Sequence, residues 1–197
     1  MVAVPVPGLV AVAGGTYTTY RVMARDAIDA VVRGLDRSVP PSCTHVTPLL
    51  GAEGFRALWN ARERLAADSG LHVARIEHLL RRFGARIHGL LDAVARRLEL
   101  GPPLPGTDDY LAVEVRYAAS HEGALHLEDV LTRRTRISIE TWDRGLEAAE
   151  PAARLIAEVL NWSEDDVVRD VELYRLRVAA ERRSRNSATT APPNSSA

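Results

Sequence analysis

Lysine is absent from this chain of 197 residues: all 25 basic side chains are arginine. That excludes two kinds of chemistry, a Schiff base on an amine and the phosphate-binding lysine of a Walker loop. Cysteine is nearly as scarce, with Cys43 alone. A disulfide framework within the chain is therefore excluded, and a reducing, cytoplasmic compartment is the simple expectation. Excess charge of one sign is missing too, because 26 acidic residues offset the 25 basic ones. The composition gives no electrostatic argument for nucleic acid. No apolar run approaches the roughly 18 residues of a membrane span, so a membrane would be met only from its surface. Ala11-Val12-Ala13 imitates a signal-peptidase site, but Pro5, Pro7 and Gly8 interrupt the apolar helix that should precede it. No G-x-G-x-x-G occurs, which removes the usual dinucleotide-binding fingerprint.

What is present is organised around Gly8 to Val32, GLVAVAGGTYTTYRVMARDAIDAVV. Leu9 to Ala13 reads as a short buried strand, Gly14 and Gly15 as a tight turn, and residues 16 to 33 as a helix. Amides at the start of a helix lack partners within it and carry the positive end of its dipole, which favours an anionic or electron-rich ligand. On spacing alone a purely structural turn is the favoured reading. Val2, Val4 and Val6 also have strand character, yet nothing downstream offers a sheet for these residues to join. Residues 1 to 15 therefore read as the end of a larger domain.

Prolines 40, 41 and 48 make 36 to 51 a linker. From 52 onward apolar residues follow helical spacing. Phe55, Leu58, Trp59, Leu65 and Ala66 form one stripe. Ile76, Leu79, Leu80 and Phe83 form a second, and Ile87, Leu90, Leu91, Val94 and Leu98 a third, with Gly70 and Gly84 at the turns. Arg62, Arg64, Arg81 and Arg82 are expected on solvated faces. Thr107 with Asp108 and Asp109 has the chemistry of a helix start. The stretch after it alternates as a strand would at Val113, Val115 and Tyr117, but a helix ended by Gly123 is the better reading. A further stripe runs from Trp142 through Leu146, Ala149, Ala153 and Ile156 to Leu160, with a kink or restart expected at Pro151. Ser163 is the expected N-cap of a last helix, with Trp162 placed to pack on Val167 and with Val167, Val171, Tyr174 and Val178 facing a bundle. Residues 185 to 197 have the composition of a disordered tail.

Histidines give no metal site. His121 and His126 are five apart, which on a helix leaves them roughly 140° apart, whereas a zinc-binding pair needs a spacing of four.

Two motifs carry a family resemblance. Gly14-Gly15-Thr16-Tyr17-Thr18-Thr19-Tyr20-Arg21 followed by Met23-Ala24 resembles the G-G-K-x-T-T-Y-R-x-M-A segment of FAD-dependent glycerol-3-phosphate dehydrogenases. Further on, Glu114, Arg116, Tyr117, His121, Glu122, Asp129, Leu131, Arg133, Arg134 and Thr135 resemble the E-x-R-Y, H-E and D-x-L-x-R-R-T pattern of the same family's C-terminal domain. The resemblance implies a mainly α fold. A strand-turn-helix remnant of an FAD-binding domain (1–35) and a linker (36–51) would precede a helical C-terminal domain (52–184) and the tail (185–197). It implies that Gly14, Gly15, Thr18 and Thr19 neighbour the flavin of FAD. Thr16 takes the family's lysine position at the substrate, where a hydroxyl cannot supply the positive charge.

No residue of this chain is implied to be catalytic or metal-binding. Glu122 and Asp129 are expected to face arginines in a structural network. The family oxidises glycerol 3-phosphate to dihydroxyacetone phosphate and passes electrons to quinone at a membrane. The implied partners are thus an upstream FAD domain, glycerol 3-phosphate and quinone, with peripheral contact at the inner face of the plasma membrane and self-association left open. The expectation is a C-terminal part of such an enzyme that is not catalytic as an isolated chain. The alternative is a non-catalytic helical interaction module derived from it.

Overall fold

The computed structural model describes residues 1–15 and 17–189, with side chains to residue 184. Two compact units divide the chain, Met1–Glu53 and Gly54–Ala197.

In the first unit β1 (Val2–Val6) pairs antiparallel with β2 (Leu9–Val12). Val2 lies opposite Val12 and Ala3 opposite Ala11, and the register slips between Ala3 and Val6. Pro5 falls within that slip, where its missing N–H costs no ladder bond. Gly8, at φ 84°, follows Pro7 as the second central residue of the two-residue loop, the arrangement of a type II turn, where glycine supplies the positive φ. The strand residues thus find their partner in each other, which corrects the expectation that it is missing. The strand is not buried in this unit either: Leu9 is 53% exposed. Among the described residues of the first unit none is buried. A 3-10 turn, Tyr17–Thr19, leads into α1 (Tyr20–Val32), which lies against both strands. Beyond it, the guanidinium of Arg21 donates to the carbonyls of Thr44 and Thr47 and so ties α1 to the linker.

The second unit is helical. The stripe from Phe55 to Ala66 divides into α2 (Phe55–Asn60) and α3 (Arg62–Ser69). Gly70, left-handed at φ 71°, closes α3 as glycine commonly does after a helix. Next come α4 (Val73–Phe83) and α5 (Ile87–Arg96), whose buried residues include Ile76, Leu79, Leu80, Ile87, Leu90 and Val94. The third stripe stops short of Leu98, which lies past α5 and is 76% exposed. The connector through residues 101–111 is fixed by Leu104 N–H donating to Tyr110 O (2.9 Å) and Ala112 N–H to Pro102 O (3.0 Å). Thr107 does not start a helix. Its hydroxyl donates back to Leu104 O at 2.9 Å, and α6 (Ala112–His121) begins five residues later behind Leu111.

After α6, Gly123 at φ 67° reverses the chain, and Asp129–Arg134 forms a π-helical turn. The short α7 (Ile137–Glu140) precedes α8 (Leu146–Leu160). Trp142 falls between them, off the stripe predicted for it. No restart occurs at Pro151, because α8 runs through it. α9 (Glu164–Thr189) opens as expected: Asp166 N–H donates to Ser163 Oγ at 3.2 Å, and Ser163 N–H donates to Asp166 Oδ2 at 2.9 Å. It is helical through 185–189, where a disordered tail was expected, and the rest of that tail lies outside the described residues.

α8 packs between α6 and α9. Ala148, Ala149, Ala152 and Ala153 are fully buried there, and their small side chains let the helices approach closely. Val167, Val171, Tyr174 and Val178 turn inward from α9.

Candidate functional site

Two places gather the residues singled out by sequence. The first is the glycine turn. Gly14 and Gly15 have φ of 80° and 106°, a region costly for residues with a Cβ. A Cβ on Gly15 would also crowd the thioether end of Met23, a flexible side chain that can move aside, so the positive φ is what calls for glycine here. A Cβ on Gly14 would meet no atom of the described residues within 4 Å, so that side of the turn is open. Thr19 occupies the N-cap of α1 but makes no side-chain cap bond; its hydroxyl donates to Met23 Sδ at 3.7 Å. Tyr17 stacks on Tyr20, with centroids 5.8 Å apart. Gly14 and Gly15 stand before the 3-10 turn that holds Thr18 and Thr19, and Thr16 falls outside the described residues.

The second place is centred on Glu114, whose carboxylate is completely buried. Its Oε1 accepts from Leu111 N–H at 3.0 Å, which caps α6. His78 Nε2 of α4 lies 3.0 and 3.1 Å from the two carboxylate oxygens. Arg82 Nε is 2.9 Å from Oε2, an ion pair whose N–H does not point along a hydrogen bond. Another Arg82 nitrogen donates to Arg134 O, and Arg134 Nε donates to Glu122 O at 2.9 Å. α4, α6 and the π-helical turn are thereby joined through one carboxylate and two guanidinium groups.

Around this cluster the charges follow their surroundings. Burial raises the pKa of Glu122, against the nearby Arg82 and Arg134. Burial and the hydrogen bond to Glu140 (2.9 Å) push the Tyr110 phenol up to about 12. Burial would also raise Asp129, but the amides of Leu125 and His126 and the Arg133 charge outweigh it and hold the carboxyl below its ordinary value.

The expected network exists, with one reassignment of roles. Asp129 meets Arg133 at 3.1 Å, whereas Glu122 is reached by Arg134 through its backbone carbonyl. Arg82, predicted on a solvated face, is instead a member of the buried network. His78, which shares Glu114 with it, was also missed; the only sequence signal was their spacing of four on α4, which puts both on the face turned toward Glu114. Tyr117 stacks on His121 at 4.4 Å, Arg116 pairs with Glu158 at 3.1 Å, and His126 leans on Asp170 at 3.2 Å. Among the described residues no group of three His, Cys, Asp or Glu could hold a metal ion. Glu114, His78, Arg82 and Arg134 all meet partners inside the protein, Arg82 Nε through charge alone, which suits a lock between helices.

The family model for the C-terminal domain of alpha-glycerophosphate oxidase matches residues 42–167. This chain belongs to that family. It is 52% identical over 180 residues to a glycerol-3-phosphate dehydrogenase of Mycobacterium leprae, with 91% of this chain and 31% of the relative covered. A glycerol-3-phosphate dehydrogenase 2 of Mycobacterium tuberculosis is 51% identical over the same coverage. The chain spans about a third of the length of these curated relatives. Among solved structures, the Bacillus halodurans glycerol-3-phosphate dehydrogenase complexed with FAD superimposes with a TM-score of 0.69 at 23% identity, covering 87% of this chain and 35% of that one. The alpha-glycerophosphate oxidase C-terminal fold is thus shared with that enzyme. Its matched residues include the whole Glu114 network.

Proposed function

We propose that this chain is the C-terminal part of an FAD-dependent glycerol-3-phosphate dehydrogenase and is not catalytic by itself. The observation that carries the reading is the 52% identity, over 91% of the chain, to a glycerol-3-phosphate dehydrogenase about three times as long. In this reading Gly14 and Gly15 bring their backbone close to the flavin. The open side of Gly14 faces it, and Thr18 and Thr19 flank it with backbone amides that favour negative charge on the ring. FAD, when bound, would supply the hydride acceptor for oxidation at C2 of glycerol 3-phosphate. Thr16, in the family's lysine position, has a hydroxyl where the family has an ammonium, so it supplies no positive charge to the substrate phosphate. Electrons pass to quinone from a cytoplasmic enzyme held peripherally at the inner face of the plasma membrane.

The test is spectroscopic. The purified chain is titrated with FAD, then with glycerol 3-phosphate, and visible absorption is followed. We expect no bound flavin band for the chain alone, and a band that bleaches with substrate once the family's flavin-binding portion is joined to it. A bleachable band in the chain alone would overturn the claim that it is inactive in isolation. The second reading, a helical interaction module, is favoured by one observation: among the described residues every buried side chain belongs to the second unit. It predicts that rejoining the flavin portion restores nothing.

A further inference from the structure

Opposite in character to the Glu114 lock is an open surface on the second unit, around α7 and the start of α8. Trp142 is 101% exposed there, and Ile139 beside it is 61% exposed. A free indole is unusual, since burying an aromatic side chain of this size removes 150–250 Å² from water. Beside Trp142 lies a concavity of about 440 Å³ whose floor includes Tyr110. Five carboxylates line it, from Asp108, Asp109, Glu140, Asp143 and Glu147, and no arginine does.

In a chain with 25 arginines that separation is informative, because elsewhere acidic side chains commonly have arginine neighbours: Glu77 has Arg62 and Arg81, Glu158 has Arg97 and Arg116. Within the concavity Glu140 pairs with Arg136 at its edge, and Asp143 accepts from the amides of Gly145 and Glu147. Asp108, Asp109 and Glu147 are exposed, and among the described residues no ion pair engages them. The free charge is therefore negative, and it borders an exposed indole.

We propose that this surface docks a basic segment of a protein partner, with an arginine or lysine side chain stacked on Trp142 and its neighbours paired to Asp108, Asp109 and Glu147. Charge complementarity selects the partner's sign. The aromatic face selects a cation, since a guanidinium or ammonium over an indole gains cation–π attraction in addition to its ion pairs. A segment is favoured over a free small cation because the indole stands fully proud of the surface. It cannot wall in a small ligand, but it suits the anchor of a protein interface.

The experiment uses the full chain and a nine-residue peptide of alternating arginine and glycine, followed by calorimetry and tryptophan emission. A glutamate-glycine peptide and arginine amide serve as comparisons. We expect the basic peptide to bind, to shift the Trp142 emission to the blue and to weaken steeply with salt. W142S should weaken it at least tenfold, and so should the triple change D108N, D109N, E147Q, with the helical signal of both variants unchanged. The control E172Q, on the outer face of α9, should leave binding as it was. Equal affinity of W142S would overturn the proposal, and so would arginine amide binding as tightly as the peptide. Concentration-dependent self-association that W142S abolishes and the peptide competes away would make a second copy the occupant, and would likewise overturn it.

Discussion

Glu114 and Glu122 lie eight residues apart, at opposite ends of α6, and their environments treat charge in opposite ways. Glu114 is surrounded by an amide, an imidazole and a guanidinium, so Glu114→Gln leaves Arg82 facing a neutral group inside the protein. Breaking a buried pair in this way costs about 3–5 kcal/mol, and urea unfolding should show it as a lower midpoint. Glu122 is raised by burial. A carboxyl raised in the folded state holds its proton more tightly there than in the unfolded chain. Stability therefore falls as pH rises from the ordinary glutamate value through the raised one. Glu122→Gln should remove that dependence and be the more stable protein at neutral pH. A variant with the same pH profile as the parent would refute this. The sequence showed both glutamates as motif members but not which was buried: His78 is 36 residues from Glu114, and spacing along the chain does not encode such a distance.

For whole elements, the sequence was most legible where apolar spacing and burial coincide. α4, α5 and α9 follow their stripes because each has one face toward a common core. The reading failed where a local signal had a stronger competitor. Thr107 carries helix-start chemistry but spends its hydroxyl on Leu104 O, and Trp142 keeps helical phase with Leu146 while lying outside α8. Both strands of the hairpin were legible but not their pairing, because Pro7-Gly8 is not the Asn-Gly kind of turn that signals a hairpin in sequence. The glycine turn, by contrast, was fully legible, since two adjacent positive φ values leave little choice of residue. α8 itself gives a packing prediction. Its four buried alanines leave no room between α6 and α9, so Ala152→Leu should destabilise by about 1–3 kcal/mol through overpacking. Thermal unfolding would show this as a lower Tm, and an unchanged Tm would mean that α8 is free to shift.

At the scale of the molecule, the two units contribute unequally to stability. The buried core lies in residues from Leu65 to Val178, and among the described residues the first unit buries none. Since apolar burial is the main favourable term in folding, a chain beginning at Gly54 should unfold with the same cooperativity as the whole. Hydrogen exchange should find the amides of 1–53 nearly unprotected in the full chain. Slow exchange across β1 and β2 would contradict this.

The hairpin has one more consequence, for how copies of the chain meet in concentrated solution. A two-stranded sheet ends on both sides in unpaired backbone groups, each a template for another strand. The two sides are not alike: β1 carries Pro5, which lacks a donor, whereas β2 is Leu9-Val10-Ala11-Val12 without interruption. Fibril growth from this chain would therefore have a polarity, with β2 as the growing side and β1 as the blunted one. A single proline placed in β2 would leave neither side able to extend.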